Sequence, residues 1–366
     1  MLTFIDSFAH YASGDQAKKW TIGGSGVSLN PSGGRDNRPY LSLTGSGPMI
    51  TLPKQSGQSQ VVLGVAYRNT LPYWGDMLRI GVAGDHPPTD PANGPPYIDD
   101  AVTLRSISDG TLYLHYEGWK LQGGSYSGIQ ANSGIITLPP DNIQVNQWYY
   151  LELKLTWSGS DNAMGVELRV NEQTVFSDPA PVFVQSGTGY PILLGDFSYY
   201  YVLLNVGNWQ DLYVLDDTGS HNTDYLGDSK VICVYPRADG SHTDWTPDTG
   251  TDHYARVNEH PPDDATSYVH ADTAGAIDTY FFDAVTLISD IQGVQLNTWA
   301  QKEDAGQRQI AAVCVSGGAD HAGANVKALN TSWGDTREIW ERNPDGGGQW
   351  TPGAIDAAEF GVKLVT

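Results

Sequence analysis

Carboxylates are the residues in this chain with the most chemistry to offer. The reaction they suggest is glycoside hydrolysis, which needs two of them about 5 to 9 Å apart across a sugar. A string such as Glu-x-Asp-x-x-Glu on one strand would supply the pair, and the sequence has none. Glu117, Glu152 and Glu167 are isolated. The last two fall on the polar faces of neighbouring strands beside Lys154 and Arg169, where cross-strand ion pairs account for them. Asp239, Asp244, Asp248 and Asp252 recur in one stretch that could offer oxygens to Ca²⁺. Their spacing departs from D-x-[DN]-x-[DN]-G-x₅-E, and aspartates in such turns commonly bond their own backbone. His242 and His253 lie among them without the H-E-x-x-H or clustered Cys/His pattern of a zinc site. No G-x-S-x-G joins a strand to a helix, so a hydrolase triad lacks its anchor. The expectation is a chain without catalytic residues, metal or cofactor.

Aromatic side chains are the remaining positive signal. Eleven Trp and twenty Tyr provide flat amphipathic faces on which sugar rings stack and which also dominate protein interfaces. Tyr73, Trp74, Trp119, Tyr126, Tyr199, Tyr200, Tyr201 and Trp209 stand outside the clear core pattern. Strand geometry requires Tyr200 to face away from Tyr199 and Tyr201. Core packing or subunit contact accounts for each more readily than glycan binding, so no ligand-binding residue is assigned.

The elements that must position these groups are strands. In residues 147 to 177, Tyr149, Leu151, Leu153, Leu155 and Trp157 alternate with Tyr150, Glu152, Lys154 and Thr156, and Val166, Leu168 and Val170 alternate with Glu167, Arg169 and Asn171. Two such runs about a polar loop specify a hairpin with one buried face, which suits a sandwich rather than an α/β core. Asn171-Glu172-Gln173 then turns the chain into a third strand. Further strands are expected near residues 3 to 8, 19 to 22, 39 to 43, 60 to 68, 77 to 82, 101 to 107, 111 to 116, 191 to 194 and 211 to 216, with Asp109-Gly110 as a hairpin turn. Residues 85 to 100, DHPPTDPANGPPYIDD, read as a long surface loop. Residues 217 to 224 are polar and aperiodic and mark a domain boundary. Beyond it, strands are expected at 231 to 235, 280 to 287, 309 to 315 and 360 to 365, a loop at 236 to 252, and a helical turn or two near Pro352 to Phe360.

Two resemblances add to this. Trp148, the Leu-Glu-Leu-Lys-Leu strand and the Glu-Leu-Arg-Val-Asn hairpin resemble the signature region of concanavalin A-like (laminin G-type) jelly rolls. Phe4 to Phe8 with Tyr11 and Trp20 resembles their first strand, and Gln210 to Asp217 the closing strand that pairs with it. Glu172 stands where members often carry Gly, which implies a wider hairpin tip. The resemblance implies an all-β chain: a jelly-roll sandwich over residues 1 to 218, then a smaller β-rich domain over 222 to 366. Jelly rolls host many functions. Tyr225 to Val231, Ala238 to Pro247, Thr251 to Tyr254, Ala265 to Val269, Lys302 to Gly306 and Ala358 to Lys363 resemble the C-terminal region of structural proteins from tailed bacteriophages and prophage-like particles. That implies a virion subunit of capsid, vertex or tail, assembled in the host cytoplasm with other virion proteins. A homo-oligomer, with a trimer favoured, and contact with a host glycan follow as expectations. The alternatives are a carbohydrate-binding adhesin or lectin module and, third, a glycoside hydrolase.

Composition narrows the partners. Forty-two acidic residues against twenty basic ones give a net charge of −22, which opposes phosphate-backbone contacts with nucleic acid. No apolar run approaches the ~20 residues of a membrane span. MLTFIDSFAHY lacks a basic n-region, so no secretory signal is expected there. Cys233 and Cys314 both sit in strand-like runs of the second domain. Reduced core thiols are expected, with an inter-sheet bridge as the alternative.

Overall fold

The computed structural model describes all residues except 12–14, 23–25, 46, 71–74, 84–100, 108, 139–141, 161 and 286–289, together with the side chains of Asp15, Ala83 and Tyr126. The long loop expected at 85 to 100 lies outside the described residues. The chain folds into two compact units: Trp20 to Val231 with Met1 and Thr3 to Ala9, and Ile232 to Thr366 with Leu2 and His10 to Lys19.

The first unit is a sandwich of two antiparallel sheets, the concanavalin A-like jelly roll. One sheet runs in the order Gln173–Asp178, Ala163–Val170, Trp148–Ser158, Gln60–Arg68, Gly207–Asp216, Tyr40–Leu43, Val27–Asn30, and Leu2–Asp6 also pairs with Gly207–Asp216, making eight strands. The other has seven, in the order Ser125–Asn132, Leu112–Gln122, Ala101–Ser106, Gly75–Ala83, Tyr199–Leu204, Pro48–Pro53, Thr21–Ile22. Leu151, Leu153 and Leu155 are fully buried between the sheets, each contributing about 1.5–3 kcal/mol. Ile80, Val102, Leu112, Leu114, Val202 and Leu204 face them from the seven-stranded sheet. The opening strand is fixed by Trp20, whose Nε1 donates to Asp6 at 2.8 Å and whose ring meets Phe4 edge-on. Of residues 191 to 194, Pro191 ends a strand, Thr188–Pro191, that pairs with Val182–Gln185, and Leu193 forms isolated bridges to Trp119 and Ala163. Four strands of the two sheets, Val27–Asn30, Pro48–Pro53, Ser125–Asn132 and Tyr199–Leu204, were not expected from the sequence: Pro, Gly and polar residues break the alternation of the second and third, the first is only four residues long, and YYYVLL is a continuous apolar run without alternation.

The hairpin tip is tight, contrary to the width expected from Glu172. Val170 pairs directly with Gln173, leaving Asn171 and Glu172 as the two turn residues at φ 47° and 67°. This is the left-handed geometry of a two-residue turn. Asn171 Oδ1 accepts from the Tyr150 amide at 2.8 Å, and Glu172 Oε1 accepts from Asp228 N at 3.1 Å. Side-chain bonds thus hold a conformation that glycine would adopt freely.

In the second unit a five-stranded sheet runs Pro236–Thr243, Ile277–Phe282, Glu359–Leu364, Gln309–Ser316, Ala319–Ala328. Ile291, Cys314, Trp340, Trp350, Ile355, Ala358 and Phe360 form its core. Pro236–Thr243 corrects the expected loop. It is an edge strand, where Pro and Gly are tolerated, and its pairing with Ile277–Phe282 shifts register twice. A Cβ on Gly240 would stand 2.4 Å from Glu359 Oε2 and 2.5 Å from Thr279 Oγ1, so the breaker residue is what lets this strand close on the sheet. Residues 231 to 235 are not a strand. The expected helical turn is Pro352–Ala357, capped by Thr351 Oγ1, which accepts from Ala354 N at 3.1 Å.

Candidate functional site

The outer faces of the two jelly-roll sheets differ. On the eight-stranded sheet, residues 224 to 231 lie across the outward side chains. Gly227 N donates to Glu152 Oε1 at 2.9 Å, Leu226 N to Tyr213 Oη at 3.1 Å, and Val231 N to Asp211 Oδ1 at 2.9 Å. Tyr225 is clasped between Lys154 and Arg169, 4.1 and 4.2 Å from its ring. Asp211 is fully buried and held by both guanidinium nitrogens of Arg38 at 2.7 Å. This face is occupied by the chain itself.

Glu152 is accordingly not the surface ion-pair residue expected from its polar-face position. It is fully buried, and its Oε1 also accepts from Tyr213 Oη at 2.5 Å. Lys154 pairs with Asp224 at 2.7 Å rather than across the strands. Glu167 keeps a 3.8 Å contact with Arg169. The four loop aspartates do not converge. Asp239 accepts from the His253 and Tyr254 amides, Asp244 from Ile277 N, and Asp248 pairs with Arg256. Asp252 accepts from Thr251 Oγ1. His242 reaches Asp320 at 2.9 Å, and His253 Nδ1 lies 2.9 Å from the buried Asp278. Among the described residues no group of three or more His, Cys, Asp or Glu could hold a metal ion.

The outer face of the seven-stranded sheet carries a different set. Alternation sends Leu112, Leu114 and Tyr116 inward and Tyr113, His115 and Glu117 outward. The register then builds two rows. One runs Tyr201, Gly81, Ala101, Glu117, Gln130; the next runs Leu203, Arg79, Thr103, His115, Asn132. The short side chains of Ala101 and Thr103 leave a dip over the central strand, and an ion pair spans it. Arg79 Nη2 donates to Glu117 Oε2 at 2.6 Å, with the two side chains 17% and 14% exposed. Arg79 Nε donates to Tyr201 Oη at 3.0 Å. Tyr201 can lie there because Gly81 has no Cβ, an atom that would stand 2.1 Å from the ring.

Glu117 Oε1 accepts from Gln130 Nε2 at 3.3 Å, and His115 Nε2 is 3.4 Å from it. The other ring nitrogen of His115 is 2.6 Å from Asn132 Oδ1. Arg105, one position along, pairs with Asp76 at 2.5 Å. The His115 hydrogen bond, then the charges of Arg79 and Arg105, hold the Glu117 carboxyl below the usual carboxylate range against its partial burial. In chemical terms the face offers a fixed acceptor and several amide and guanidinium donors.

Of the aromatic candidates, Tyr199 is half-exposed on this same face and Tyr201 lines it, while Tyr200 points into the core as alternation required. Trp209 is wholly buried, its Nε1 donating to Asn205 O at 2.8 Å, and Trp119 is buried. Tyr73, Trp74 and the Tyr126 side chain lie outside the described residues. The sequence reading missed Arg79, Arg105, His115, Gln130 and Asn132. The strict alternation of LYLHYEG was the signal that could have placed His115 beside Glu117.

No family model matches this chain, and no curated protein does. Among solved structures it is similar to domain 4 of AbnA, an extracellular GH43 arabinanase from Geobacillus stearothermophilus in complex with arabinotriose, at 13% identity over 59% of this chain and 92% of that one, TM-score 0.32. It is similar also to a substituted form of human galectin-16, at 10% identity over 46% and 95%, TM-score 0.25. A third is the Emp46p carbohydrate recognition domain in its potassium-bound form, at 12% identity over 58% and 95%, TM-score 0.28. None of these likenesses bears on what the chain binds.

Proposed function

We propose that this chain is a carbohydrate-binding protein that takes a saccharide on the outer face of its seven-stranded sheet, without turning it over. The observation that carries this reading is the Arg79–Glu117 ion pair held over Ala101 and Thr103 and ringed by His115, Gln130, Asn132 and Tyr201. A polar cluster shielded this far contributes little to fold stability that apolar side chains would not match, whereas planar polar groups fixed by neighbours suit the directional hydrogen bonds of sugar hydroxyls. Tyr199 adds an exposed ring on which a sugar face can stack.

The test is a glycan array probed with the whole chain and with Arg79→Ala. Binding to a defined glycan class that is lost in Arg79→Ala supports the reading; unchanged binding in that variant refutes it. Turnover is checked by following reducing ends on the bound polysaccharide. Sustained release that disappears in Glu117→Gln would make the protein an enzyme.

The resemblance of residues 222 to 366 to particle proteins supports a wider reading, in which this face is the host-contact surface of a trimeric virion subunit. Mass spectrometry of purified particles and light scattering of the isolated chain test that context. Absence from particles or a monomeric mass removes it.

A further inference from the structure

The same face distinguishes between kinds of sugar. Glu117 is held unevenly: Oε2 is tied to Arg79 at 2.6 Å, whereas Oε1 has long contacts, 3.3 Å to Gln130 Nε2 and 3.4 Å to His115 Nε2. A hydroxyl donating to an ionised carboxylate settles at roughly 2.5–2.7 Å. A sugar hydroxyl reaching Oε1 therefore makes a stronger bond than those it loosens. Gln130 and Asn132 are exposed and sit opposite Glu117 and His115 in register. An amide released from Oε1 is thus free to donate to the neighbouring sugar oxygen. In the same row, between Arg79 and His115, Thr103 is wholly buried, and its Oγ1 has no hydrogen-bond partner among the described residues. A polar atom left unsatisfied on the outward side of a sheet marks a place where a ligand group completes the bonding.

Charge then separates neutral from acidic saccharides. Among the described residues of this face, Arg79 and Arg105 are balanced by Glu117 and Asp76, and His115 adds charge only when protonated. A uronate carboxylate would compete with the Glu117 carboxylate for the same donors. It would also enter the field of a chain carrying a net charge of −22. Resting on the reading of this face as a saccharide site, we propose that the ligand is an uncharged saccharide, recognised by one hydroxyl donated to Glu117 Oε1 and an adjacent oxygen accepting from Gln130 or Asn132, and that polyuronates are excluded.

The experiment is isothermal titration calorimetry of the full chain at low and at physiological salt. Its probes are neutral hexasaccharides (gluco-, manno-, galacto-, xylo- and arabino-oligomers) and the hexamers of mannuronate and galacturonate. At least one neutral hexamer should bind tenfold or more tighter than either uronate, with the gap narrowing as salt rises. Glu117→Gln should weaken it by about tenfold or more, and Asn132→Ala, at an exposed position, by several-fold with an unchanged melting temperature. A uronate bound as tightly as any neutral sugar, yet still lost in Arg79→Ala, would overturn the exclusion while leaving the face as a saccharide site. Neutral binding indifferent to Glu117→Gln and Arg79→Ala would place the ligand elsewhere. No binding to either panel would remove both inferences.

Discussion

Glu152 has two donors, the buried Tyr213 hydroxyl and the half-buried Gly227 amide, and removing the carboxylate takes the acceptor from both. Glu152→Ala should therefore destabilise the protein by about 2–4 kcal/mol, since each buried unpaired donor costs about 1–3 kcal/mol. Urea unfolding measures this, and saccharide binding on the other sheet should be unaffected. Glu117 behaves differently because it titrates in a site. Its folded-state value is depressed below the ordinary ~4.3, by the His115 hydrogen bond first and then by Arg79 and Arg105. The ionised form is thus favoured by folding, and that contribution is present at neutral pH and is lost only as the pH falls through the depressed value. In a His115→Gln background, where no imidazole faces Glu117, saccharide affinity should stay level from pH 7 to about 4.5 and decline below it. A calorimetric midpoint above 4.5 would mean that Glu117 is not the acceptor. Sequence pattern alone placed Glu152 on an outward face and left Glu117 isolated. It could not show that residues 224 to 231 return from far along the chain to bury one of them and leave the other reachable.

Glycines and turns decide how well the strands present these groups. Gly81→Ala puts a methyl where the Tyr201 ring lies, so Tyr201 must move and Arg79 loses its 3.0 Å contact. The expected result is a tenfold or greater loss of saccharide affinity with only a modest fall in melting temperature. The hairpin around Asn171 was legible because the alternation on both sides is unbroken and Asn tolerates positive φ. Its width was misread because Glu172 holds the same left-handed conformation with help from Asp228 N. Asn171→Val should cost about 2 kcal/mol in urea unfolding, combining the lost bond to Tyr150 N with a conformation that β-branched residues resist. The edge strand Pro236–Thr243 was illegible for the opposite reason. Its breakers look like loop until the sheet beside it is known, and an edge position needs only part of its backbone paired.

Two separate cores imply two sites of global vulnerability. Leu153→Ala should cost about 2–5 kcal/mol in the first unit, and Gly240→Ala should act on the second by driving a methyl into Glu359 and Thr279. Differential scanning calorimetry checks whether each change moves its own transition. Cys314 offers a way to watch one of them alone. It is fully buried in the second core, it is not part of a disulfide, and burial pushes its thiol up to about 12. At pH 8 roughly one molecule in ten thousand would carry the thiolate that an alkylating reagent needs. In a Cys233→Ser background, alkylation at Cys314 becomes a covalent record of each opening of the second core. Its rate, read by mass spectrometry, should rise with urea and in Gly240→Ala and stay unchanged in Leu153→Ala, giving the chain an internal clock for the breathing of one half that needs no added dye or tag.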